Sequence, residues 1–217
     1  MERDILIEEL KQKLDLEVYV NHAKEDITII PMLLDIIETE KTAIKYLCEK
    51  IIRAISEENP MLLSPFFERM VSLLDHENNF IKWGFILILP NMIKIVSENK
   101  WDEISEDYLS FLDTDSIAAF GNTVSTIWKI LDTYPKYEKE IVPKLLTVDE
   151  HIFLHKGEVS PECINVAKGQ IIDCFDIIYP ESQYKSEIVT FVNANLDNPR
   201  TSVRRKAKRI LKKYIGT

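Results

Sequence analysis

A chain of 217 residues, 46% hydrophobic and 29% charged, is long enough to bury a continuous core. Its five glycines and nine prolines are too few for a sheet-and-turn protein of this length, and the dominance of Ile, Leu, Lys and Glu points to an all-α fold. A net charge of −9, from 27 basic and 36 acidic residues, argues against a protein whose whole surface follows nucleic acid.

Ile7, Leu10, Leu14 and Val18 recur at helical spacing over residues 3–20 and predict an N-terminal capping helix within 1–25. A first helix pair is expected over 26–58: one helix near 27–38, then one near 41–57 with the stripe Ile44, Leu47, Cys48, Ile51 and Ile55, ended by Asn59 and Pro60. The second pair, 59–98, opens with Phe66, Phe67, Met70, Val71 and Leu74, crosses a polar turn from Asp75 to Asn79, and continues in a helix to about Ser97. Pro90 lacks the N–H that the preceding turn needs, so a kink is predicted there. The third pair, 99–134, begins near Trp101, and its turn from Asp113 to Ser116 supplies helix caps for Ile117 onward. The fourth, 135–180, has its first helix near 136–148 and an insertion at 150–160. Ser160 and Pro161 then start the helix that ends at Tyr179 and Pro180. The fifth, 181–217, sets Ile188, Val189, Val192 and Leu196 against a last helix whose stripe is Val203, Ala207, Ile210, Leu211 and Tyr214.

These pairs are copies of one unit. Leu47, Gly84, Gly121, Gly169 and Lys206 stand 37, 37, 48 and 37 residues apart, which places three of the five glycines on one repeat position and isolates an insertion of 11. An acid in the turn is followed six residues later by an aliphatic-basic pair: Glu38 with Ile44 and Lys45, Asp75 with Ile81 and Lys82, Asp197 with Val203 and Arg204. This spacing resembles that of HEAT and armadillo-like repeats over nearly the whole chain. The resemblance implies an all-α, right-handed α-α superhelix of about five helix pairs plus the cap, forming a single α-solenoid domain over 1–217. It also implies a turn-stabilising contact from acid to base, which Ala118-Ala119 and Val166-Ala167 of repeats three and four are not equipped to make.

Tyr46, Trp83, Phe120, Lys168 and Arg205 share a second repeat position, about 160° around the helix from Ile44, Ile81 and Ala118. In a HEAT-like solenoid that direction is the concave face, where aromatics passing into cations would suit an extended partner segment; the alternative is that neighbouring repeats bury the rings. A glycine within a helix costs roughly 1 kcal/mol relative to alanine, so Gly84, Gly121 and Gly169 are expected at close helix contacts. Asp149, Glu150, His151, His155, Glu158, Glu162 and Cys163 gather near the insertion, yet no HExxH and no GxxxxGK[ST] occurs, and neither a metal nor a cofactor is expected. The insertion is expected to be a surface excursion.

The chain ends in cations without acids after Asp197: Arg200, Arg204, Arg205, Lys206, Lys208, Arg209, Lys212 and Lys213. They are open to three readings: a solvated cap of the array, a dock for an acidic protein, or a nucleic-acid contact. Cys48, Cys163 and Cys174 are scattered and odd in number, and no apolar leader or run of about 20 residues is present, so a monomer in the reducing cytoplasm, with no membrane contact, is expected. The functional expectation is a non-enzymatic scaffold that binds a protein or peptide. The alternative is a nucleic-acid-binding protein similar to the HEAT-like DNA alkylation repair glycosylases, working through its basic last helix.

Overall fold

Twelve α-helices, joined by 3-10 turns and one two-stranded hairpin, follow one another through the residues that the computed structural model describes, 3–12 and 14–216. Met1, Glu2 and Lys13 of the expected cap, and Thr217, lie outside the described residues. The helices gather into two compact units, Met1–Ile104 and Ser105–Thr217.

The first unit holds α1 (Arg3–Lys11), α2 (Leu16–Glu25), α3 (Ile29–Thr39), α4 (Ile44–Glu58), α5 (Phe67–Ser72) and α6 (Asn79–Ile88). Helix α4 packs on α1, α2, α3 and α6. Its Cys48, Ile51, Ile52 and Ile55 meet a core that includes Ile30, Leu33, Leu34 and Ile37 of α3, all at 0% exposure; each such aliphatic side chain contributes roughly 1.5 to 3 kcal/mol on burial. The single capping helix expected over 3–20 is instead two. The break before Asp15 resets the helical phase, so Leu14 and Val18 are exposed while Leu6, Leu10, Tyr19, Val20 and Ala23 are buried. Pro90 does more than kink the second helix of its repeat, because α6 ends at Ile88 and the chain tightens into a 3-10 turn over Leu89–Met92. Pro60 and Pro65 similarly hold Pro60–Phe66 in 3-10 geometry ahead of α5.

Helix α7 (Glu98–Leu109) runs across the boundary between the units. The second unit continues with α8 (Ile117–Thr133), α9 (Glu138–Leu146), β1 (Leu154–His155), β2 (Glu158–Val159), α10 (Pro161–Ile178), α11 (Lys185–Ala194) and α12 (Thr201–Tyr214). Helix α10 packs between α8 and α12, and α11 lies against α9 and α12. Ser116 caps α8 by accepting the Ala119 N–H at 3.3 Å. Ser160 stands at the N-cap of α10 without a side-chain cap bond; its own N–H donates to Phe153 O at 2.9 Å.

The repeat-position glycines do mark close approach. A Cβ on Gly84 would overlap Glu49 Oε1 of α4, one on Gly121 would overlap Gln170 Nε2 of α10, and one on Gly169 would stand 3.2 Å from Val203 Cγ2 of α12. The contacts that tie the turns differ from the expected acid-to-base pairs. Glu38 accepts both Nε and a terminal nitrogen of Arg69, 2.7 Å each, from the next repeat rather than pairing with Lys45. Arg204 donates to the carbonyls of Asn198 and Pro199, at 2.6 and 3.0 Å. The guanidinium fork presents several donors at once, which lets Arg69 bind Glu38 bidentately and Arg204 hold two carbonyls together.

The insertion folds as the β1–β2 hairpin, turned by Lys156 and Gly157 at φ 53° and 83°. Its tip is exposed. Its base is not a simple excursion: Phe153 is 1% exposed, and the Leu154 N–H donates to Asp115 O at 2.9 Å.

Candidate functional site

Three aromatic rings gather on the surface of the first unit where α4 meets α6. Asn78 builds the corner: its Oδ1 accepts the Phe80 and Ile81 N–H groups at 3.0 and 3.4 Å, starting α6, while its Nδ2 donates to the Tyr46 hydroxyl at 3.0 Å. With the two helices fixed in this way, the Phe80 ring stands edge-on to both Tyr46 and Trp83, at centroid distances of 6.0 and 5.2 Å. Phe80 is 65% exposed, whereas Tyr46 and Trp83 are half-buried. Two of the expected ladder residues are thus brought together by a third that the repeat arithmetic missed. The signal for Phe80 lay three residues before Trp83, which puts both on one helix face.

In the second unit the ladder does not continue as a surface. Phe120 is 0% exposed, covered by Phe153 and His151 at centroid distances of 5.1 and 5.5 Å. The inserted hairpin base supplies that cover, so Phe120 offers no face to a partner. Lys168 is paired with Asp149 at 2.6 Å. Arg205 is exposed.

The basic helix α12 faces a row of acids on α10. Lys206 and Arg209 pair with Asp173 at 2.5 and 3.1 Å, Arg209 and Lys213 pair with Asp176 at 3.1 and 2.8 Å, and Arg200 pairs with Glu162. Each cation so engaged is unavailable to phosphate unless that pair is broken, which reduces the steep electrostatic binding a nucleic-acid protein relies on. Arg205, Lys208 and Lys212 remain exposed on this helix. Replacing Asp173 and Asp176 together by Asn is expected to raise low-salt affinity for duplex DNA by about tenfold over the native chain. Fluorescence anisotropy with a labelled duplex measures this; unchanged affinity would show that these acids do not restrain the basic face.

One helical turn from Tyr46, Glu49 lies over Gly84 at 6% exposure. Its Oε1 has no hydrogen-bond partner among the described residues, and Arg53 Nε is 3.6 Å away. Burial pushes this carboxyl above the usual carboxylate range, against the pull of Arg53 and Lys50. The folded state therefore holds the proton more tightly than the unfolded chain does. The stabilisation that follows is full below the unfolded value of about 4.3 and is lost as pH rises through the higher folded value. Thermal melts from pH 7 downward are expected to show a gain on acidification that is missing in Glu49→Gln. Identical profiles for the two proteins would contradict this role for Glu49.

The acids and histidines near the insertion do not converge: no group of three His, Cys, Asp or Glu among the described residues is placed to hold a metal ion. No helix among the described residues is long and apolar enough to cross a membrane. In sequence the chain matches no family model and no curated protein. In structure it is similar to a designed armadillo repeat protein, with a TM-score of 0.55 and 14% identity over 89% of this chain and 84% of that one. At that identity the likeness establishes the fold alone, an α-solenoid of armadillo/HEAT-like repeats. Solenoids of this kind commonly present extended binding surfaces for other proteins.

Proposed function

We propose that the protein is a non-enzymatic scaffold that captures a protein or peptide segment on the aromatic surface formed by Tyr46, Phe80 and Trp83. The observation that carries this reading is Phe80: a large ring, 65% exposed, held between two others on a corner fixed by Asn78. Leaving such a ring in water forgoes the free energy of burying it, and rigid aromatic anchors of this kind dominate binding energy at interfaces. Arg205, exposed on α12 of the second unit, is proposed as a separate contact for acidic groups. Burial pushes the Cys48 and Cys174 thiols up to about 12, so neither is a nucleophile near neutral pH, in keeping with a binding role. The three cysteines are free and buried, which fits the reducing cytoplasm.

Panning a random linear peptide library against the full chain tests the proposal, with a Phe80→Ala/Trp83→Ala protein as counter-selector. Peptides bearing apolar or aromatic residues that bind the native chain and not the double variant are the expected yield. Peptides retained equally by both would reject the aromatic surface as the binding site.

A further inference from the structure

The second unit carries a separate concavity, a cleft of about 370 Å³ beside the C-terminal ends of α8 and α10. Its walls combine two kinds of surface. Trp128, Leu131, Pro135, Ile177 and Ile178 supply apolar faces, and Ile177 is 52% exposed. Glu138 and Glu181 supply carboxylates, whereas Asp132 is already engaged by other groups; no basic side chain lines the cleft itself, though Lys129 Nζ lies 5.6 Å from the Trp128 ring centroid. Glu138 is 8% exposed and accepts a single backbone N–H, that of Gln183, through both oxygens at 3.2 Å. A carboxylate offers about four acceptor sites, so capacity remains.

We propose that this cleft binds an organic cation, an ammonium or guanidinium group carried on an apolar stem. It goes beyond the aromatic surface of the first unit and does not depend on it. The size lies within the usual range for small-ligand sites, roughly 300 to 1,000 Å³. An anion would be repelled by the Glu138 and Glu181 carboxylates. A neutral apolar guest would strip water from Glu138 without replacing the lost hydrogen bonds, which is costly for a charged group. A cation with an apolar stem satisfies both surfaces: the stem covers Leu131, Ile177 and Ile178, and the charge meets Glu138 and Glu181 where the apolar walls weaken screening by water. The same chemistry arises from a free amine or from a lysine or arginine side chain of another protein, and the probes separate these sources.

The test titrates benzylamine and benzyl alcohol, near-equal in shape, into the ¹⁵N-labelled full chain. The readout is the indole N–H signal of Trp128, assigned with Trp128→Phe. Benzylamine is expected to shift this signal saturably and benzyl alcohol to bind at least about tenfold more weakly, since only the amine carries the charge. Glu181→Gln, a change at an exposed site, is expected to weaken benzylamine several-fold with no effect on benzyl alcohol. A second pair of probes, acetyl-Leu-Arg-Leu-amide and its citrulline counterpart, identifies the source: tighter binding of the arginine peptide than of benzylamine assigns the cleft to a protein side chain, and the reverse assigns it to a free amine. Equal affinity for benzylamine and benzyl alcohol, or no saturable shift at Trp128 with either cationic probe up to about 20 mM, a concentration that would reveal even millimolar binding, overturns the proposal.

Discussion

Phe153→Ala is expected to lower stability by about 3 to 5 kcal/mol, the usual cost of truncating a buried phenylalanine. The residue is 1% exposed. It stands edge-on to Phe120 at 5.1 Å and stacks with His151 at 5.3 Å, so its removal opens a cavity above a ring that nothing else in the hairpin can fill. For a domain of this length the unfolding midpoint should fall on the order of 10 °C. The hairpin tip provides the contrast. His155→Ala together with Glu158→Ala, both exposed, should change stability by no more than about 0.5 kcal/mol. A small effect of Phe153→Ala in the same melts would show that the hairpin base is not part of the core.

The second large effect falls on binding. Phe80→Ala is expected to weaken a peptide selected on the native chain by roughly 2 kcal/mol, about thirtyfold, because truncating a central aromatic anchor typically costs that much. At 65% exposure, the same change should leave stability within about 0.5 kcal/mol. Trp83→Ala is a less clean probe. That ring is half-buried, so its loss draws on packing as well as on contact with a partner, and a fall in melting midpoint accompanies any fall in affinity.

The division between what the sequence discloses and what it hides follows from periodicity. Helices declare themselves through their apolar stripes, and the 37-residue recurrence of Gly84 and Gly121 correctly marks the places where one helix lies against the next. The same arithmetic places Tyr46 and Trp83 in equivalent positions, and the structure brings both to one corner. It fails at Phe120, because the ring is covered by Phe153, and an inserted segment makes contacts that lie outside the repeat. At the N-terminus the apolar spacing of Leu10, Leu14 and Val18 runs unbroken from α1 into α2, so helical spacing alone cannot register the break before Asp15. The pairing of the basic tail is hidden for a different reason. A run of cations is visible in sequence, while the acids that pair with Lys206, Arg209 and Lys213, Asp173 and Asp176, lie one repeat earlier on α10.

If a partner docks on the exposed aromatic corner of the first unit, removing the Phe80 ring removes its main anchor. Calorimetric titration of one library-selected peptide into the native chain and into Phe80→Ala, with both proteins shown by their melts to be equally folded, addresses this docking most directly. About a thirtyfold loss of affinity is expected in the variant, and equal affinities would rule out the aromatic corner as the docking site.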